Sequence, residues 1–173
     1  TEGRTLPDVP TLLAELGARL PGVDRIWAGT KLLHPQAAAY LWIWEDGEST
    51  ITRELSYTRF AQLRLGDSPI RRLERGAPFV RCRPVDDDQT DVTRDLWEAG
   101  YADLYGLTFT LRGTWAGGFT WASKRPFSPE QIATFDQLMP ALSAVLEPLA
   151  NDLVRRTLLQ TYLGQDAGTR VHD

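Results

Sequence analysis

Apolar and polar residues follow a helical period at both ends of the chain and an alternating period between them. Near the N-terminus, apolar residues at spacings of three and four predict a helix over residues 8–20, which stops at Pro21-Gly22. The alternating segments predict strands, because successive side chains on a strand point to opposite faces. The candidate strands are residues 25–33, 39–44, 49–55, 78–83, 104–111 and 115–122, and two or three of them precede the short helices.

Turn and capping residues place the other short elements. Asp46-Gly47 predicts a hairpin turn between the second and third strands. Asp67-Ser68-Pro69 predicts the start of a short helix that Gly76 ends, and a second short helix is expected over residues 91–98. In the last strand, Gly117-Gly118 indicates a bulge or a place of close backbone approach.

The last predicted element is a long helix. Ser128-Pro129-Glu130-Gln131 predicts its start, because a capping serine precedes a proline and a glutamine follows three residues later. Apolar residues at helical spacing carry the pattern onward to Leu153, and Pro140 and Pro148 inside it predict a kink.

This order of elements predicts an α+β fold. Strands joined by a tight turn favour a central antiparallel sheet with helices packed on one face. With 173 residues, the chain is long enough for one well-buried core and short for two. We therefore expect a single sheet.

Composition excludes several classes of function. The formal net charge is −4, with acidic and basic residues mixed along the sequence, whereas a phosphate backbone requires a clustered basic surface. No apolar run approaches the roughly 20 residues of a membrane span, and the first residues do not form a secretory signal. We expect a cytoplasmic domain that binds neither nucleic acid nor membrane.

Residues with catalytic potential are few. The sequence holds no glycine-rich phosphate loop, no dinucleotide fingerprint, no serine elbow and no histidine pair at metal spacing. His34 precedes a proline and is interpreted as a turn residue, while His172 lies in the terminal tail. Cys82 is the only cysteine, and on a strand it is interpreted as a buried apolar residue. We expect no catalytic residue, no metal and no cofactor.

Aromatic residues on the predicted strands are the candidates for binding. They would line a pocket for a flat or apolar small molecule that indole N–H groups orient. The alternative is an aromatic-rich core or a dimer surface, and the sequence leaves both open. The candidate ligand-binding residues are Trp27, Trp42, Trp44, Tyr105, Phe109, Arg112 and Trp121.

Five segments carry a resemblance to a known family. They are Leu32-Leu33-His34-Pro35-Gln36, Asp67-Ser68-Pro69-Ile70, Arg71-Arg72-Leu73-Glu74-Arg75-Gly76, Phe127-Ser128-Pro129-Glu130 and Arg156-Thr157-Leu158-Leu159-Gln160-Thr161-Tyr162-Leu163-Gly164-Gln165-Asp166-Ala167-Gly168. Together they resemble the GAF-like N-terminal regulatory region of bacterial class III adenylate cyclases. The last segment is the most specific, because its near-match in that family lies just upstream of the cyclase catalytic domain.

The resemblance implies a GAF-like fold, a central antiparallel sheet with N- and C-terminal helices packed on one face. It implies a GAF-like sensory domain over residues 1–150, and a C-terminal helix and coupling segment over residues 151–173 towards a missing output domain. It also implies that the natural protein dimerises through its C-terminal helices and makes cyclic AMP from ATP. No residue matches the metal-binding aspartates or base-recognition residues of the cyclase domain, so this chain is expected to be catalytically silent.

The function expected from the resemblance is regulatory input to a cyclase domain in cis. A small molecule, unidentified by the sequence, would shift the rotation or stagger of two C-terminal helices in a homodimer. The candidate residues for signal coupling are Pro140, Pro148, Tyr162 and Leu163.

Two further functions stay open: a ligand-free dimerisation or spacer module, and a GAF domain of another signalling protein. A GAF-fold methionine sulfoxide reductase would need at least a catalytic and a resolving thiol. Because Cys82 is the only cysteine of the sequence, this function is disfavoured.

Overall fold

The computed structural model describes residues 8–31, 37–48, 50–58, 67–86, 90–111 and 114–163. The strands are β1 (Arg25–Lys31), β2 (Ala37–Glu45), β3 (Ile51–Ser56), β4 (Phe79–Cys82), β5 (Asp103–Leu111) and β6 (Thr114–Ser123). The helices are α1 (Val9–Arg19), α2 (Pro69–Glu74), α3 (Asp91–Glu98) and α4 (Pro129–Leu163).

The six strands form one antiparallel sheet in the order β3-β2-β1-β6-β5-β4. Strands β1 and β6, which are distant in sequence, pair at its centre, with Ile26 opposite Trp121. The α+β arrangement predicted from the sequence is therefore confirmed, and each of the candidate strands is present, with three of them before the short helices.

The terminal helices α1 and α4 cover one face of the sheet. Phe135 of α4 stacks on Trp121 of β6, with ring centroids 4.5 Å apart and an interplanar angle of 5°. Aromatic and aliphatic residues fill this core because both terminal helices offer an apolar stripe. Its fully or nearly fully buried members include Leu13, Ile26, Ala28, Phe119, Trp121 and Phe135.

The short helices α2 and α3 cover the opposite face. Leu73 of α2 and Leu96 of α3 pack against Val80, Leu104 and Ala122 of the strands in a second core. The sequence analysis placed helices on one face only, whereas the structure covers both. Cys82 belongs to this second core and is 3% exposed, so its interpretation as a buried residue is confirmed.

Local signals at the helix starts have their predicted effect. The backbone N–H of Gln131 donates to Ser128 Oγ at 3.3 Å, and the backbone N–H of Ser128 donates to Gln131 Oε1 at 2.9 Å. This capping box begins α4 at the predicted residue. Ser68 caps α2 in the same way, by accepting from the backbone N–H of Arg71.

Gly117 lies where two strand backbones approach closely. The pairing of β5 with β6 shifts register between Phe109 and Thr110, and a Cβ placed on Gly117 would lie 2.0 Å from the Gly29 carbonyl oxygen. The prediction of a bulge or a close approach at this position is confirmed, since both are present.

Helix α4 runs through both internal prolines. Pro140 and Pro148 are exposed, and the helix continues through both, so that the kink expected there stays a prediction. A proline removes the hydrogen bond to the carbonyl four residues earlier, and an exposed position lets water reach the carbonyl that loses its partner. The same helix crosses residue 150 without a break. In the part of the chain that the structure describes, no helix is long and apolar enough to cross a membrane.

Candidate functional site

A cavity of about 260 Å³ lies between the sheet and the two short helices. Its floor is formed by strand residues, namely Arg25, Trp27, Ile43, Leu104, Thr120 and Ala122. Its roof is formed by residues of α2 and α3 and by the residue that directly follows α3, namely Pro69, Ile70, Val92, Asp95, Leu96 and Ala99. Most of these side chains are apolar, and the few polar ones are set among them, which is typical of a small-molecule site.

The indole of Trp27 lies across strand residues that carry no side chain. A Cβ placed on Gly29 would lie 2.4 Å from the Trp27 ring, and one on Gly118 would lie 3.6 Å from it. Gly29 therefore leaves room for the ring, whereas a Cβ on Gly118 would be in ordinary contact with it. Trp27 is half-buried and supplies an aromatic surface to the cavity.

The cationic side chain in the floor is already neutralised. Arg25 Nη1 donates to Glu45 Oε1, which also accepts a hydrogen bond of 3.2 Å from the hydroxyl of Tyr101. Burial, followed by the negative charge of Glu45, raises the pKa of Tyr101 to about 12. The phenol thus stays protonated at neutral pH and keeps donating to Glu45.

The carboxylate in the roof has no such partner. Asp95 lies on α3 at the exposed rim of the cavity, and within the described residues its carboxylate makes no hydrogen bond or ion pair. Its negative charge is thus available to a bound group.

An ion-pair cluster holds α2 over the sheet beside this cavity. Glu74 accepts from Lys31 Nζ at 3.2 Å and from Arg71 Nη1. Partial burial opposes ionisation of Glu74, but the hydrogen bonds and charges of Arg71 and Lys31 together lower its pKa below the ordinary value. Since Lys31 ends β1 and Glu74 ends α2, this pair links the roof to the floor.

On the other face, a buried carboxylate fixes the start of α4. Asp103 is 0% exposed and accepts from Arg81 Nε at 3.2 Å, from Arg81 Nη2 at 2.7 Å and from the backbone N–H of Phe127 at 2.9 Å. Arg81 Nη2 also donates to the Phe127 carbonyl at 3.1 Å. These hydrogen bonds to Asp103 raise the pKa of Arg81. The segment that enters α4 is therefore tied to β4 and β5.

A second attachment joins β5 to α4 itself. The hydroxyl of Tyr105 donates to Asp136 Oδ1 at 2.6 Å, and burial together with this bond raises the pKa of Tyr105 above its ordinary value. Alternating residues of β5 and β6 thus have different partners. Leu104 and Ala122 line the cavity on one face, whereas Asp103, Tyr105 and Trp121 hold α4 on the other.

The structure divides the aromatic residues that the sequence singled out. Of the set, Trp27 lines the cavity. The core against α1 and α4 contains Trp42, Trp44, Tyr105, Phe109 and Trp121. The reason is strand parity: Trp27 pairs with Ile43 while its neighbour Ala28 pairs with Trp42, so Trp27 and Trp42 face opposite sides. Arg112 lies outside the described residues, and a role of this set in ligand binding stays a prediction.

The coupling candidates all lie on or at the end of α4. Tyr162 is 72% exposed, and Leu163 is the last residue of the helix. Pro148 also lines an open groove of about 570 Å³ together with Tyr40 and Trp42. Their role in signalling stays a prediction.

Sequence reasoning missed the charged residues of both faces. Asp103 and Arg81 occupy strand positions whose alternation with apolar neighbours was visible, but nothing local showed which face would be buried. Asp95 lies on a correctly predicted helix whose place over the sheet is set by tertiary packing. Among the described residues, no group of three or more histidine, cysteine, aspartate or glutamate side chains could hold a metal ion; His34 and His172 lie outside them.

Solved GAF domains have a similar fold. The GAF domain of a two-component sensor histidine kinase from Bacillus halodurans matches with a TM-score of 0.58 at 14% identity, over 80% of this chain and 91% of that chain. The GAF domain/HD domain protein from Geobacter sulfurreducens matches with a TM-score of 0.51 at 16% identity, over 83% of this chain and 95% of that chain. No family model and no curated protein matches the sequence. The GAF-like fold is thus confirmed. At sequence identities this low, the similarity shows a shared fold only.

Proposed function

We propose that this domain is the regulatory input of a signalling protein. A small molecule bound between the sheet and helices α2 and α3 changes the position of α4, and α4 transmits that change to an output domain. The chain itself performs no catalysis in this scheme.

One observation carries the proposal: the cavity and the long helix use opposite faces of the same two strands. Leu104 in the cavity floor is flanked along β5 by Asp103 and Tyr105, which hold α4. A ligand that shifts β5 or β6 therefore acts directly on the attachments of α4. The size of that effect is limited by the difference in the ligand's affinity for the two positions of the helix.

The output that we propose is a class III adenylate cyclase domain in cis, which makes cyclic AMP from ATP. Its support is the resemblance of residues 156–168 to the coupling segment of those enzymes. The first part of that segment, residues 156–163, forms the end of α4. The helix that begins against the sheet thus leads directly into the coupling segment.

We expect the substitution Ala99→Trp to alter cyclic AMP synthesis by the natural protein that carries this domain. Ala99 lines the cavity and is exposed, so a tryptophan there occupies the cavity without being forced into the core. Glu98→Trp adds the same ring one residue earlier, at an exposed position outside the lining, and is the matched control. The measurement is the rate of conversion of ATP to cyclic AMP.

Two outcomes would each remove one part of this proposal. Absence of cyclic AMP synthesis by the natural protein would exclude a cyclase as the output domain. Equal rates of cyclic AMP synthesis for Ala99→Trp and Glu98→Trp would exclude regulation through the cavity.

We also propose that the protein is a homodimer joined through the C-terminal part of α4. Among the side chains that the structure describes on α4, Leu146 and Leu149 are the last that pack on the core, and the helix continues to Leu163. At about 1.5 Å per residue, roughly 20 Å of helix follow Leu149. Leu159 is half-buried and Tyr162 is exposed on this part.

Sedimentation velocity of residues 1–173 is expected to give a dimer, and Leu159→Glu is expected to shift it to monomer. Thr161→Glu, on a different side of the helix and exposed, is the matched control and should remain dimeric. A wild-type chain that stays monomeric at high concentration would exclude signalling through this dimer.

A ligand-free dimerisation or spacer module is the second candidate. The cavity volume of about 260 Å³ lies just below the range of roughly 300–1,000 Å³ common for small-molecule sites. A ligand-free module is favoured if Ala99→Trp leaves cyclic AMP synthesis unchanged while Leu159→Glu abolishes both the dimer and that synthesis.

A further inference from the structure

The charges around the cavity indicate what kind of ligand it accepts. Arg25 is paired with Glu45, so the two contribute no net charge, and Glu45 is further engaged by Tyr101. Asp95 at the rim keeps an uncompensated negative charge among the described residues. A ligand that carries one positive charge would therefore make the site neutral.

The walls restrict the body of the ligand. A volume of about 260 Å³ corresponds to roughly nine waters of the liquid, at about 30 Å³ each. This space suits a molecule of one or two rings, and Ile43, Leu96 and Leu104 offer it apolar contacts. The half-buried indole of Trp27 adds an aromatic surface, which attracts both flat rings and cations.

We infer that the cavity binds a small aromatic amine in its protonated form. This inference rests on the proposed ligand-binding role of the cavity and names the class of ligand. The ring lies among the apolar side chains against Trp27, and the ammonium group meets the carboxylate of Asp95. A carboxylate ligand is disfavoured, because it would face Asp95 and compete with Glu45 for Arg25.

Three ligands with the same ring test this inference by calorimetry. Tryptamine carries an ammonium group, tryptophol a hydroxyl and indole-3-acetate a carboxylate. Tryptamine is expected to bind about ten-fold more tightly than tryptophol, which is the combined effect of a rim ion pair and a cation–aromatic contact. Indole-3-acetate is expected to bind most weakly, and added salt should reduce the advantage of the amine.

Asp95→Asn removes the charge with little change in shape. It is expected to bring tryptamine to within about two-fold of tryptophol and to leave tryptophol binding unchanged. Asp91→Asn is the matched control, because Asp91 is exposed on the same helix, pairs with Arg94 at 3.2 Å and lies outside the lining. It should keep the preference for the amine.

Equal affinity of the three ligands, or an amine preference that survives Asp95→Asn, overturns the ligand class while the cavity remains a binding site. Failure of all three to bind also overturns the class. The comparison of Ala99→Trp with Glu98→Trp in the natural protein reports on the proposed function separately, since it involves no added ligand.

Discussion

Replacing Gly117 with alanine is expected to destabilise the protein by about 3 kcal/mol or more, at the upper end of the cost of overpacking. The new Cβ would lie 2.0 Å from the Gly29 carbonyl oxygen and 2.5 Å from the Phe109 ring. The carbonyl belongs to β1, which pairs with β6 at this point, so the backbone cannot withdraw without breaking that pairing. The measurement is the free energy of unfolding in urea, monitored by circular dichroism.

Gly118→Ala is the matched control for this prediction. Its Cβ would point to the other face and lie 3.3 Å from Leu73 Cδ1, a side-chain methyl that can shift by a few tenths of an ångström. We expect a cost of about 1 kcal/mol or less. Similar losses for the two variants would show that a general requirement for glycine, and not the contact at Gly117, is responsible.

Replacing Asp103 with asparagine is expected to cost about 3 kcal/mol, at the lower end of the range for breaking a buried ion pair. The Asp103 carboxylate accepts three hydrogen bonds, two from Arg81 and one from the backbone of Phe127. An asparagine amide has a single acceptor oxygen, so its NH₂ group would meet a donor. The free energy of unfolding measures the loss.

Asp67→Asn tests whether any loss of an aspartate–arginine pair has this effect. Asp67 pairs with Arg75 at 2.7 Å, but both side chains are more than half exposed. Such pairs contribute about 0–1 kcal/mol, so the control should remain close to the wild type. If Asp103→Asn lowers the free energy of unfolding no more than this control does, Asp103 does not hold α4 in place.

Hydrogen exchange adds a readout that separates attachment from stability. In Asp103→Asn, the amides of Phe127 and of the first turn of α4 should exchange faster than those at the centre of the sheet. Uniform acceleration over the whole chain would indicate a general loss of stability instead. Faster exchange confined to Phe127 and the start of α4 is the result expected if Asp103 holds that segment.

Signals read from neighbouring residues predicted the elements well. The Ser128–Gln131 capping box begins α4 where it was expected, and Asp46-Gly47 lies at the turn between β2 and β3, with Gly47 at a φ of +78°. Such signals act through hydrogen bonds and dihedral preferences within a few residues. They do not depend on where the rest of the chain lies.

The faces of the sheet could not be assigned in this way. Alternation along β1 and β2 divides each strand's residues into two sets, but the set that joins the terminal helices depends on pairing between distant segments. The pairing of Ala28 with Trp42 leaves Trp27 on the cavity side. For that reason the aromatic residues, which look alike in the sequence, have different surroundings in the fold.

The sequence by itself determined the order and approximate positions of the elements, the α+β class and the start of the long C-terminal helix, because these follow from local periodicity and capping. Only the tertiary structure decided that α2 and α3 enclose a cavity, that Asp95 lies at its rim and that Asp103 is buried under the entry to α4. Each of these depends on the placing of β6 between β1 and β5. That placing joins residues about a hundred positions apart, and no local preference encodes it.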